Sequence, residues 1–202
     1  MSSKSIILGK RKLQKESTRT RIIATARRLF AEKGIKATTT QEVASEAGVA
    51  HGTVFVHFST QELLLTAVIE EFGRTMAGRL HQVVSRSADT AQALLAHLQG
   101  LMESEDLYAR LVVEGGTLPP PVRTTLIMVQ SAISHHISEI AERDMAAGKI
   151  QSMPVHLLFN TWLALIHYYL ANAHMFAPAG SVLEKYGAQL HEHFVSLIRR
   201  HT

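Results

Sequence analysis

The 202-residue sequence predicts an all-α fold, with a three-helix unit at the N-terminus followed by a larger helical bundle, about nine helices in total. Three observations carry that prediction. Apolar residues recur three and four apart through most of the chain, with few of the alternating runs that strands require. Candidate caps precede these runs (Thr39, Ser59, Thr60) and candidate stops follow them (Gly48, Gly148, Gly180). A hydrophobic content of 46% is enough to fill a buried core in one large domain, or in a small head fused to a core domain, and no internal repeat divides it.

The elements follow in order. Residues 1–17 hold Lys4, Lys10, Arg11, Lys12 and Lys15 and read as a basic, flexible arm. The first helix carries Ile22, Ala26, Leu29 and Phe30 on one stripe, with Arg19, Arg21, Arg27 and Arg28 off it. Thr39 and Glu42 have capping-box spacing, so a second helix starts near Thr40. Val43, Ala44 and Ala47 give it a narrow face of small residues, and Gly48 supplies the positive φ that ends it. Val49 plugs the turn. His51 to Phe58 then forms a short third helix, with Val54 and Phe58 inward and His51, Thr53, Phe55, Val56 and His57 outward.

Past residue 64 a larger unit, 65–202, is expected. Leu65, Ile69, Phe72 and Met76 stripe a long linking helix. Helices follow from about Thr90 to Glu103 and Glu105 to Val113, then a break at Gly115 to Leu118. Pro119, Pro120 and Pro121 open a long helix to about Ala147, since the first amides of a helix have no internal partner. Met153 to Met175 and Ser181 to Arg199 supply the last two, separated by Pro178 and Gly180.

The charge is uneven. Residues 1–60 hold eleven Lys and Arg against four Glu, whereas the rest holds ten basic and thirteen acidic residues. The positive field lies on the segment whose short second and third helices, joined by a glycine turn, have the form of a helix-turn-helix that enters the major groove of DNA.

At these residues the chain resembles the TetR family of bacterial transcriptional regulators. The match runs from about Thr18 to Leu65 and includes Ala26, Phe30, Gly34, Thr38, Thr39, Val43, Ala44, Ala47-Gly48-Val49, Gly52-Thr53, His57-Phe58 and Glu62-Leu63-Leu64. The resemblance implies that Thr39 and Thr53 meet backbone phosphates, that Gly52 begins the recognition helix, and that Phe55 and His57 brace the DNA backbone. With their neighbours, the candidate DNA-binding residues are Thr38, Thr39, Thr40, Ala50, His51, Gly52, Thr53, Phe55, Val56, His57 and Gln61, joined by Lys10, Arg11 and Lys12 of the arm. It also implies a sequence-specific regulator, a repressor by default, released from a palindromic operator in double-stranded DNA by a small-molecule effector. An effector-independent or metal-responsive regulator is the alternative.

Three positions depart from the family pattern. His51 stands where Lys or Arg is frequent, Phe55 where Tyr is, and Gln61 where Lys is, so two fixed cations and one phenolic donor are missing. The basic arm is expected to compensate. His51 and His57, with ordinary pKa values of about 6.5, are expected to add positive charge at the DNA surface on mild acidification.

In the final helix Leu183, Gly187, Leu190, Phe194 and Leu197 fall four and three apart as a bundle seam. The seam pairs two copies in a homodimer, or packs within one chain. A dimer suits the task, because two recognition helices read half-sites about 34 to 36 Å apart. Asn160, His167 and His174 fall seven apart and line either the dimer seam or a pocket. Phe72, Met76, Met102, Met128, His135, Phe159, Trp162, Ile166 and Tyr169 are the candidate lining of an effector pocket. No charged signature marks it, so a mostly apolar effector is expected.

Other classes are excluded or disfavoured. There is no cysteine, hence no disulfide, thiol nucleophile or thiol redox chemistry. Lysines interrupt the only short apolar patch near the start, so no signal segment is read and a cytoplasmic location is expected. Val155 to Ala171 is apolar but short for a membrane span, and it holds His156, Asn160 and His167. His135 and Glu139 have metal-ligand spacing but no evident third ligand, and no hydrolase or phosphate-loop motif occurs. No catalytic residue, cofactor or metal site is assigned.

Overall fold

The computed structural model describes residues 3–83 and 88–200, and the side chains of 10–81 and 88–200, with no strand among the described residues. The first helix, α1 (Ser3–Lys33), runs without a break through the segment expected to be flexible. Lys, Arg, Gln and Glu are strong helix formers, and no proline interrupts them. Residues 10–17 are all exposed, as is Arg19; the side chain of Lys4 lies outside the described residues.

The head is completed by α2 (Thr40–Glu46) and α3 (His51–His57). Ile22, Ala26, Leu29 and Phe30 of α1 are buried with Val43, Ala44, Ala47, Val54 and Phe58. The apolar spacing read from the sequence is therefore the face that packs.

From the head, α4 (Gln61–Val83) enters the body, where it packs on α5 (Thr90–Met102) and α7 (Pro120–Ala146). Between them in sequence, α6 (Glu105–Glu114), which a short turn Gly115–Thr117 continues, lies against α1 and α8 (Val155–Ala171). The single helix expected over Met153 to Met175 is two, α8 and α9 (Ala173–Phe176). Asn172 breaks it by turning its amide back onto the carbonyl of Tyr168 at 2.8 Å, a local bond that competes with the helix ladder.

The last helix, α10 (Val182–Ile198), changes one expectation. Leu183, Gly187, Leu190 and Phe194 are buried inside the chain, against α5 and α8, while Leu197 is 55% exposed. A Cβ at Gly187 would stand 3.3 Å from Leu98, so α10 lies tightly on α5. Four of the five seam residues are thus the single chain's own core. Buried polar groups are paired: Asp144 accepts from the Thr90 amide (2.7 Å) and hydroxyl (2.8 Å), tying the end of α7 to the start of α5.

Candidate nucleic-acid interface

Local bonds fix the head. Thr39 accepts from the amide of Glu42 at 3.2 Å, and Glu42 accepts from the amide of Thr39 at 2.9 Å, the capping box read from the sequence. Lys33 binds the same carboxylate at 2.9 Å; that contact first, then the bonds from Thr39, holds Glu42 at a pKa of about 2. Gly48 turns the chain at φ +62°, and the amide of Val49 closes the turn on the carbonyl of Ala44. Val54 and Phe58 then seat α3 on the core, which leaves Gly52, Phe55 and Val56 outward and Thr53 and His57 half-buried beside them. Thr39 and Ala50 are exposed, and Thr40 is half-buried.

Two of the three departures find structural partners. Gln61 donates to the carbonyl of Thr38 at 2.7 Å and reaches that of Ile35 at 3.4 Å, so it fastens the start of α4 to the loop ahead of α2. His51 Nε2 pairs with the Thr40 hydroxyl at 3.1 Å, and its ring meets the edge of Phe55. These side chains hold the head's own elements together. Gln61→Ala should cost about 1 to 2 kcal/mol of stability and weaken DNA binding without changing its salt slope, since no phosphate contact is lost. A reduced slope would show that Gln61 meets the backbone after all.

Thr38, expected at the DNA surface, is 1% exposed. Its hydroxyl donates to the carbonyls of Leu29 in α1 (3.2 Å) and of Gly34 just past its end (2.8 Å), a buried role that sequence spacing does not reveal.

The cations divide into two groups. Arg28 bonds Glu46 at 2.6 Å and Glu32, while Arg27 bonds the carbonyl of Glu103 and the hydroxyl of Ser104. Both are engaged within the protein. Lys12, Lys15 and Arg19 instead lie three and four apart on an exposed stripe of α1. The Arg19 guanidinium sits 5.0 Å from the Phe58 ring centroid, which brings the stripe to the C-terminal end of α3. Burial, then the nearby Lys15 and Arg19, push His57 below the ordinary histidine pKa. The charge expected at His57 on mild acidification therefore arrives only at lower pH.

One set of residues passed unread in the sequence. Arg110 of α6 donates to the carbonyls of Ala31 (3.2 Å) and Glu32 (3.3 Å) at the end of α1. Glu114 accepts from the amides of Ile35 (3.1 Å) and Lys36 (3.2 Å) just after Gly34, whose φ is +97°. A cation thus meets the helix's free carbonyls and an anion the free amides of the turn. At the other end of α6, Glu105 accepts from the amide of Val182 at 2.7 Å, where α10 begins. The helix joins head and body through partners 77 to 79 residues away. Gly34 was the only local signal.

Residues 22–68 match the model of the bacterial regulatory proteins of the tetR family. The HTH-type transcriptional repressor KstR2 of Mycolicibacterium smegmatis is 34% identical over 105 residues, 50% of this chain and 49% of that protein. Residues 22–68 are a TetR-family domain. The chain spans about half the length of the curated relatives it matches, which are transcriptional repressors. Its fold is that of TetR-family structures. A regulator from Agrobacterium tumefaciens superposes with a TM-score of 0.76 at 17% identity, covering 92% of this chain and 100% of that one. FadR of Bacillus subtilis, solved with stearoyl-CoA, superposes with a TM-score of 0.74 at 20% identity, covering 89% and 99%.

The residues expected to line an effector pocket are scattered in the body. Phe72, Met76, Phe159, Trp162 and Ile166 are buried core, and Met102 and Tyr169 are half-buried against it. Met128 and His135 are exposed on α7, in separate grooves facing α4 and α8. The polar row also divides: Asn160 is exposed, His167 turns inward to Tyr108 at 2.8 Å, and His174 lies beyond the break on α9. His135 and Glu139 stand 3.7 Å apart with no third ligand among the described residues.

Proposed function

We propose that this chain is a repressor that binds a palindromic operator as a homodimer and is released by a small, mostly apolar effector. The observation that carries the reading is the continuity of the exposed face of α3 with the Lys12, Lys15 and Arg19 stripe of α1. Such a surface offers side chains to base edges from a short helix and cations to the flanking phosphates. Residues 18–64, extended by the helical basic segment before them, form the DNA-reading unit, and 65–202 form the sensing and pairing unit. Pairing uses the outward faces of α8 and α10, where Leu157, Tyr168 and Leu197 are exposed. An effector that fills the body and binds one arrangement better than another shifts α4 and with it the separation of the two heads. FadR, of the same fold, was solved with an acyl-CoA, which supports an effector with a long apolar part. The regulator works in the cytoplasm, where its DNA is. No single helix among the described residues is long and apolar enough to cross a membrane.

Footprinting across the genome tests the reading. The expected outcome is protected sites with twofold symmetry and half-sites about one helical turn, or a multiple of it, apart. Binding with no palindromic preference overturns it.

A further inference from the structure

The outward face of α3 is apolar. Val56 is 73% exposed and Phe55 45%, two large hydrophobic side chains left in solvent on a helix that buries Val54 completely. Gly52, also exposed, lies one turn before them, and nothing stands within 4 Å of the place its Cβ would take, so a partner can come close to this face. Phe55 is held in place. The Thr40 hydroxyl pairs with His51 Nε2 at 3.1 Å, and the His51 ring meets Phe55 edge-on with the centroids 4.8 Å apart. Thr53 and His57, the other polar residues of α3, are half-buried.

The chemistry of this face limits what it can read. In the major groove Arg and Lys pair with guanine, Asn and Gln with adenine, and Asp and Glu with cytosine. Residues 51–57 contain none of these. The groove feature that aliphatic and aromatic side chains recognise is the C5-methyl of thymine. Charge selects DNA as the occupant over an apolar protein partner: the Lys12, Lys15 and Arg19 stripe ends beside this helix, so phosphates drawn to the cations bring a groove to the face.

We infer that Val56 and Phe55 select thymine by its methyl group, so that the specificity α3 contributes to each half-site comes from apolar contact and not from hydrogen bonds. The inference rests on the DNA-binding reading above and names the base chemistry of that same surface. His51 is a positioning residue, since it sets the Phe55 ring while its own Nε2 is occupied. Burying one methyl corresponds to about a fourfold gain in affinity, and a site with twofold symmetry presents each methyl twice, which makes about fifteenfold for a symmetric pair.

The test selects sites bound by the full chain from a random duplex library, then rebuilds the winning site with deoxyuridine in place of thymidine. That exchange removes the C5-methyl and keeps every hydrogen-bonding group of the base. Deoxyuridine at a contacted position in both half-sites should weaken binding about fifteenfold, and at flanking positions by less than about twofold. Val56→Ala should weaken binding to the thymidine site by a similar factor and abolish the deoxyuridine penalty at one position, and Phe55→Ala should abolish it at another. His51→Ala should shrink the Phe55 penalty and leave the salt slope fixed. Val56 is exposed, so Val56→Ala should melt with the parent and report a lost contact, not a lost fold. A site indifferent to deoxyuridine, penalties that persist in Val56→Ala and Phe55→Ala alike, or a selection that recovers no sequence preference overturns the proposal. Palindromic sites that ignore deoxyuridine leave the repressor reading standing, with DNA shape as the source of its specificity. Methyl-dependent sites without twofold symmetry do the reverse.

Discussion

Replacing Lys12 and Lys15 together with glutamine should weaken operator binding about a hundredfold and flatten its salt dependence. Each lysine is exposed on the stripe that runs down to α3, and neither has a protein partner among the described residues. A phosphate contact made by such a cation releases condensed counterions and contributes about −0.9 to the slope of log K against log salt. Loss of two contacts should therefore reduce the slope by about 1.8. Charged hydrogen bonds contribute roughly 1.5 to 3 kcal/mol each; exposed contacts take the lower end, so two place the loss of affinity at about a hundredfold at moderate salt. The effect should be similar on operator and non-operator DNA, because phosphates carry no sequence. Arg19 is left intact because it also packs on Phe58, and its loss would mix stability with binding. If affinity falls while the slope stays fixed, the lysines act on the protein and the stripe is not a DNA surface.

The second large effect is acid lability of the body. Trp162, fully buried, donates through Nε1 to His97 Nδ1 at 3.0 Å, so His97 must stay neutral and carry its proton on Nε2. Burial first, and then the nearby His167, depress His97 to about 3. In the unfolded chain a histidine protonates near pH 6.5, so below that value the unfolded state binds the proton that the folded state refuses. Stability is therefore full above about pH 6.5 and declines as pH falls toward 3. By pH 5 the loss from this residue should be about 2 kcal/mol, read as a lower urea midpoint. His97→Gln keeps an acceptor for the indole but does not titrate, so its profile should be flatter over this window. A variant that loses stability as steeply as the parent would place the cause elsewhere. Asp144 acts in a lower window: burial raises its pKa, but bonds from Thr90 and Lys149 outweigh that and hold it below the usual carboxylate range. Its contribution is lost only as pH falls through that depressed value.

What was legible in the sequence is what neighbours in the chain decide. The Thr39–Glu42 box, the Gly48 stop and the inward pair Val54 and Phe58 all follow from spacings of a few residues, and the structure has each. The apolar face of α10 was equally legible, but periodicity says only that a face is covered and not by which chain. α5 and α8 of the same chain cover it. Met128 and His135 repeat at helical spacing on α7, yet that helix packs through Val122, Ile133, Ile137 and Ile140 and leaves them outside. Gln61 and His51 were read as missing phosphate ligands because their partners, a loop carbonyl and a threonine hydroxyl, lie 23 and 11 residues away. The lowered pKa of His57 is hidden from the sequence for a similar reason, since its burial, and then the approach of Lys15 and Arg19, arise only once the head folds.

The grip of α6 on the end of α1 also bears on how little work release from DNA demands. A dimer binds its operator only during the fraction of time its two heads hold the right separation, and apparent affinity scales with that fraction. In the dimer proposed above, fastening the head at Ala31, Glu32, Ile35 and Lys36 through Arg110 and Glu114 would keep that fraction high before any DNA arrives. A hundredfold drop in it corresponds to about 2.7 kcal/mol, comparable with the carboxylate bonds of Glu114 alone. Under the proposed function, an effector that slackened that one helix would leave the base-reading surface untouched and still clear the promoter.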